Sequence, residues 1–149
     1  MDLREEAQSE KLREELIALS RDWERENSCR GYRENGEKDF EGRRVFTVRE
    51  DGALLAYLFG MRCVEEKGSS VMEKGTPYFE IEELYVVPRR RSQGIGRELF
   101  AFAENSLRGE AELLLLSTAT KDWKRVLHFY LDELGMDFWS ARLFKKISG

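Results

Sequence analysis

The sequence predicts a mixed α/β fold in one domain, and three observations carry that expectation. Asp51-Gly52 joins two alternating segments as a two-residue hairpin turn, since both positions tolerate positive φ. The stretch from Phe79 to Leu99 reads as an acidic-faced strand, a basic glycine-bearing turn and a helix. Glu112 to Ser117 is an almost wholly apolar run after that helix, as expected of a strand buried on both faces. A strand–helix–strand unit needs a crossover and locally parallel pairing. Joined to an antiparallel meander, it makes a mixed sheet.

The remaining elements follow in order. Residues 3 to about 26 are charged and rich in helix formers, with an apolar stripe of Leu12, Leu16, Ile17 and Leu19, so they read as one amphipathic helix. Residues 27–42 are polar and glycine-bearing and read as a loop with a short helix around Tyr32. In an enzyme this segment would wall a substrate pocket; otherwise it is a surface connection. Arg44 to Glu50 alternates as a strand, and Ala53 to Val64 returns as a longer one, with Gly60 marking a bulge or a close backbone approach. Residues 65–77 form a polar hairpin loop before the central strand. The helix from about 94 runs to Leu107, with Gly109 as its stop. Lys121 to Leu134 is a helix ended by Gly135, and Asp137 to Ile147 is a last strand. The aromatics Trp123, Trp139 and Phe144 are expected in the core.

Composition narrows the function. With 149 residues the chain fits a single domain, 1–149, and 41% hydrophobic with 36% charged residues is a globular composition. A net charge of −4 argues against nonspecific nucleic-acid binding, which leans on a strongly basic surface. The basic spot at Arg89, Arg90, Arg91 and Arg97 therefore points to a local anion site. Cys29 and Cys63 have no metal-ligand spacing, and His128 is the single histidine, so no metal site is expected. The N-terminus lacks the apolar core of a signal peptide, and no apolar run reaches the roughly 18 residues of a membrane span. A cytoplasmic protein with free thiols and neither nucleic-acid nor membrane partner is expected.

Arg91-Ser92-Gln93-Gly94-Ile95-Gly96 sits between an apolar strand ending in Val86-Val87-Pro88 and a helix. In that setting it resembles the Arg/Gln-x-x-Gly-x-Gly/Ala signature of the GCN5-related N-acetyltransferase (GNAT) superfamily. The likeness covers roughly residues 44–147. It implies a GNAT-type mixed, mostly antiparallel sheet with a central splayed parallel strand pair, flanked by helices. It implies acetyl-coenzyme A (acetyl-CoA) as acyl donor. The residue types suit that donor. Glycine lets a backbone approach a diphosphate, a helix N-terminus adds positive potential, and arginine engages phosphate in bidentate fashion. By the resemblance, the amides of Arg91, Ser92, Gln93, Gly94, Ile95, Gly96 and Arg97 hold the pyrophosphate, and surrounding arginines meet the 3′-phosphate. Backbone groups of Tyr85, Val86 and Val87 meet the pantetheine arm, where a free N–H would polarise the thioester carbonyl.

An amine must lose a proton to attack a thioester, and a carboxylate can attract the cation and accept that proton. Glu80, Glu82 and Glu83 are the candidates, and the resemblance implies the order Glu82, then Glu83, then Glu80. Glu80 and Glu82 share a strand face by the period of two, and a bulge, which the resemblance implies for this strand, would bring Glu83 to the same site. A solvated acidic strand face is the plainer alternative. The resemblance implies a tyrosine acid four residues before a glycine, but Tyr130 lies five before Gly135. Either the helix end is looser here or Tyr130 packs in the core. The acceptor expected is a primary amine on a small molecule or peptide: a polyamine, an aminoglycoside-like amine, lysine or a protein N-terminus. The alternative is a noncatalytic acyl-CoA sensor of the same fold, and a nucleotide-binding regulator is a third reading. Only about fourteen residues follow Gly135, so Asp137 to Ile147 is one long strand, a bent one or one completed by a partner, and an exposed long strand edge motivates a homodimer.

Overall fold

The computed structural model describes residues 1–148. It contains one five-stranded sheet in the order β1-β2-β3-β4-β5, with strands β1 (Asp2–Glu6), β2 (Arg44–Glu50), β3 (Ala53–Val64), β4 (Pro77–Val86) and β5 (Leu113–Leu116). The first four pair antiparallel, and β5 pairs parallel to β4. The mixed sheet with one parallel pair is the architecture the sequence predicts.

The hairpin signal operates as expected, and two caps bound the first helix. Asp51 and Gly52 both take positive φ, 51° and 81°, which closes the β2–β3 hairpin with strand-compatible twist. Helix α1 (Glu10–Glu26) starts where the Ser9 side chain accepts from Leu12 N–H and stops at Asn27 in the left-handed region. Its apolar stripe is buried at Leu12 and Leu16. Helix α2 (Ile95–Ser106) buries Ile95, Leu99, Phe100 and Ala103 against the opposite face of the sheet. There Phe102 packs edge-on to Phe46, and Gly96 lies against Val86.

Six expectations are corrected. Residues 2–6 are not the start of the first helix but a strand beside β2. Leu3 aligns with Val48, and Glu6 accepts from the buried Thr47 hydroxyl and from Arg49. Tertiary pairing overrides helix propensity there. The short helix of the 27–42 segment lies not at Tyr32 but at Glu37–Phe40, one 3₁₀ turn that buries Phe40 against Phe59. The helix expected over 121–134 is an α-helical turn, α3 (Trp123–Leu127), continued as a π-helix over His128–Glu133. The last strand does not form. Residues 137–148 have no regular structure, and Trp123, Phe138, Trp139, Leu143, Phe144 and Ile147 are exposed rather than core. Consequently β5 is the outer strand of the sheet, and its four leucines are half-buried rather than covered on both faces.

Candidate active site

A single irregularity in β4 builds the acidic site. Tyr57 aligns with Tyr85, Leu58 with Leu84 and Phe59 with Glu83, but Gly60 aligns with Ile81, so Glu82 is the extra residue of a β-bulge. Gly60 is required for it: a Cβ there would lie 1.9 Å from the Glu80 carbonyl oxygen. The bulge changes the alternation expected of a plain strand. Glu80, opposite Met61, and Glu83, opposite Phe59, now share the face of Tyr57 and Tyr85, which lies under α1 and the 3₁₀ turn. The period of two alone pairs Glu80 with Glu82; the inserted residue brings Glu83 round instead.

The three carboxylates have different surroundings. Glu82 is gripped bidentately by Arg43, at 2.6 and 3.0 Å. Glu83 is largely desolvated and accepts from Tyr57 Oη at 2.8 Å, Tyr32 Oη at 3.0 Å and Asn35 Nδ2 at 3.0 Å to each oxygen. Burial raises its pKa, the hydrogen bonds offset part of that rise, and the charge of Glu82 adds to it. Glu80 is also raised, by burial and then by Glu82, and its Oε2 is buried without a hydrogen-bond partner among the described residues. Tyr32 is itself held by the fully buried Ser20 hydroxyl at 2.8 Å and stacks on Trp23, whose ring also stacks on Tyr85. The 27–42 segment thus supplies two of the groups on Glu83.

The second half of the site is the end of β4. Pairing with β5 stops at Ile81 opposite Leu116, while β4 continues to Val86. Its edge toward β5 is therefore open from Glu82 onward, beside the turn that follows. That turn places Ser92 (φ 62°) and Gly94 (φ 83°) in the left-handed region, a geometry that points successive amides into one concavity. Among the described residues, the backbone N–H groups of Ser92, Gln93, Gly94, Ile95, Gly96 and Arg97 donate to no protein acceptor; the first helical bond is from Glu98 N–H to Gly94 C=O. Space around Gly94 is open, and Gly96 fits closely between Phe129 and Val86. Val87 N–H is taken by Leu55 C=O, and Val86 C=O accepts from Arg91 Nε.

The arginine cluster divides. Arg90 pairs with Glu50 and bonds Gln93, and Arg91 pairs with Glu26. Arg89 and Arg97 have no ion pair among the described residues and are exposed. Tyr130 lies in the π-helix, packed edge-on to Phe129, its pKa pushed up to about 12 by burial and then by nearby Cys29. A residue of α-helix turns about 100°, so five residues overshoot where four would align. The π turn closes from Leu134 N–H to Phe129 C=O, one residue farther than an α turn, and takes up the extra residue between Tyr130 and Gly135.

An open strand fork beside an amide-lined turn can take an extended ligand that carries phosphates, and a desolvated carboxylate on the same strand can accept a proton. The chain matches the Acetyltransferase (GNAT) family over residues 3–136, and it belongs to that family, whose acyl donor is acetyl-CoA. No protein of curated function matches the sequence significantly. Among solved structures, a mutant of the BH1408 protein from Bacillus halodurans is 20% identical, covering 99% of this chain and 100% of that one, with a TM-score of 0.72. The aminoglycoside N-acetyltransferase AAC(6')-Iy in complex with CoA is 15% identical, over 99% and 100% of the two chains, with a TM-score of 0.65. A ribosomal-protein-alanine N-acetyltransferase from Brucella melitensis biovar Abortus 2308 is 15% identical, over 98% and 100%, with a TM-score of 0.67. At these identities the likeness shows the fold. No helix of the described residues is long and apolar enough to cross a membrane, and no group of three or more potential metal ligands occurs among them.

Several groups on the site carry no local sequence signal. Tyr32 and Asn35 are 51 and 48 residues from Glu83, Arg43 is 39 from Glu82, and Glu26 is 65 from Arg91. Tyr57 alone is inferable, as the residue of β3 facing Tyr85 once register is known.

Proposed function

We propose that this protein transfers an acetyl group from acetyl-CoA to a primary amine on a cationic small molecule or peptide, by direct attack of the amine. One observation carries the reading: the desolvated Glu83 and the partnerless Glu80 oxygen lie on the same strand whose open end leads into the amide-lined turn. That turn fits the donor. Six amides without acceptors among the described residues suit a diphosphate, and Arg89 and Arg97, without an ion pair among those residues, suit the 3′-phosphate. When bound, acetyl-CoA supplies an acyl group activated as a thioester.

The remaining chemistry belongs to the chain. Glu80, with a buried and unbonded oxygen, attracts the ammonium of the acceptor. Glu83 takes the proton that the amine nitrogen loses as its bond to the acyl carbon forms. Support for Glu83 over Glu82 comes from the Arg43 ion pair, which neutralises Glu82, and from the raised pKa of Glu83. Tyr130 stays protonated at neutral pH and is assigned to give its Oη proton to the departing sulfur. Three carboxylates against one arginine favour a cationic acceptor. The solved relatives named above for aminoglycoside and ribosomal-protein acetylation act on amines of this general kind. A homodimer through the outer edge of β5 is part of the proposal, supported by that unpaired edge and the exposed apolar residues of the 137–148 segment.

The test is thiol release from acetyl-CoA against a broad amine panel, with coenzyme A and ATP binding compared by calorimetry. Turnover on a cationic amine and preference for coenzyme A are expected. Coenzyme A binding without turnover on any amine would establish the noncatalytic sensor instead.

A further inference from the structure

Arg91 is the first residue of the signature turn, and a phosphate ligand is the obvious role for its side chain. Its contacts are different. Arg91 Nη1 and Nη2 bond the two oxygens of Glu26 at 2.6 and 3.0 Å, and Nε bonds Val86 C=O at 2.9 Å. The guanidinium also lies 5.2 Å from the centre of the Tyr85 ring. Glu26 is the last residue of α1, and its Oε2 accepts from Tyr85 Oη at 2.6 Å as well. One half-buried carboxylate therefore ties three things together: the end of α1, the arm-facing end of β4, and the residue from which the left-handed turn at Ser92 begins.

A negative group beside a diphosphate site is unfavourable as bare charge. Here the bidentate pair cancels it, so what Glu26 contributes is position. We infer that Glu26 is a positioning residue of the acyl-donor site, holding Arg91 as a pin for the amide-lined turn rather than as a phosphate ligand. This rests on the reading of residues 91–97 as the donor site. A second tie, from Arg90 to Glu50 on the hairpin and to the Gln93 side chain, does not reach α1; the Glu26–Arg91 pair does, and the amides of 92–97 are without protein acceptors among the described residues. Anchored at Arg91, the amides keep a fixed origin; unanchored, they would have to be ordered by the ligand itself, at a cost in affinity.

The test is calorimetric affinity for coenzyme A in the wild type, Glu26→Gln, Arg91→Gln and the double variant, with melting temperatures and steady-state kinetics for each. Glu26→Gln is expected to weaken coenzyme A about tenfold, and the double variant to be no weaker than the worse single one, as two halves of one device. Donor KM should rise while acceptor KM and kcat at saturating donor stay within about threefold, a split that simple loss of stability does not produce. Tyr85→Phe, which removes only the hydroxyl bracing Glu26, should weaken coenzyme A in the same direction and keeps the test decisive should a charge variant fold poorly. Unchanged affinity in Glu26→Gln overturns the inference. So does tighter binding, which would mean that Glu26 restrains a phosphate ligand, and so do additive effects of the two substitutions. A wild type with no affinity for coenzyme A would overturn the donor site itself, a distinct result from wild-type binding that Glu26→Gln leaves untouched.

Discussion

Glu83 carries the sharpest expectation at the scale of single residues. If it is the base, Glu83→Gln lowers kcat by about 10²–10⁴-fold with coenzyme A affinity unchanged, as measured by turnover and calorimetry. Its pKa lies above the ordinary value of 4.5, so kcat should fall on acidification through a pKa above 4.5. Stability runs the opposite way. The folded chain holds this proton more tightly than the unfolded chain, so the contribution is complete below the unfolded pKa and is lost as pH rises through the folded one. The stability difference between Glu83→Gln and the wild type should therefore move in favour of the variant over that window, as read by denaturation at several pH values. Gly60 is a different kind of residue, indispensable for lacking atoms. Gly60→Ala forces a methyl onto the Glu80 carbonyl and should cost about 3 kcal/mol or more, the upper end for overpacking, in urea unfolding. Losing the bulge also puts Glu80 and Glu83 on opposite faces of β4, so activity should disappear with it.

At the scale of elements, the β4–turn–α2 unit is a local design whose parts were legible beforehand. Apolar strand, basic turn, two glycines and an amphipathic helix are neighbours in the chain, and each preference is local. Gly94 has φ 83° with open space around it, so the cost of Gly94→Ala is conformational, about 1–2 kcal/mol, without a clash. The variant should melt slightly lower and bind coenzyme A distinctly more weakly, because the methyl enters the concavity where the amides point. The bulge was legible only in part. Gly60 marked a close backbone approach, but which residue became the insertion depended on register with β3. The π-helix at His128–Glu133 was visible only as a spacing that did not fit an α-helix, Tyr130 five residues before Gly135.

Across the whole molecule, two helices cover opposite faces of the sheet, and α1 closes over the acidic side of it. The segment after Met136 lies beyond the family match and leaves β5 uncovered. If that edge and the exposed apolar residues of 137–148 together join two copies, deleting residues 137–149 should weaken a dimer seen by analytical ultracentrifugation while leaving coenzyme A affinity intact. A monodisperse wild-type monomer at high micromolar concentration would sink the dimer. The aromatics of this segment were expected in the core because aromatic residues usually bury. Their exposure follows from the missing strand, which would have needed a partner on the outer edge of β5.

By itself the sequence determined the mixed sheet, the hairpin at Asp51-Gly52, the amide-lined turn and the pool of three glutamates. Each depends on period, turn chemistry or residues adjacent in the chain. Only the tertiary structure decided which glutamate is desolvated, that Arg43 neutralises Glu82, that Tyr32 and Asn35 hold Glu83, and that Arg91 is bound to Glu26 rather than left free. Those choices are made by pairs of residues 39 to 65 positions apart, which meet through the packing of α1 on the sheet and leave no periodic or local trace in the chain.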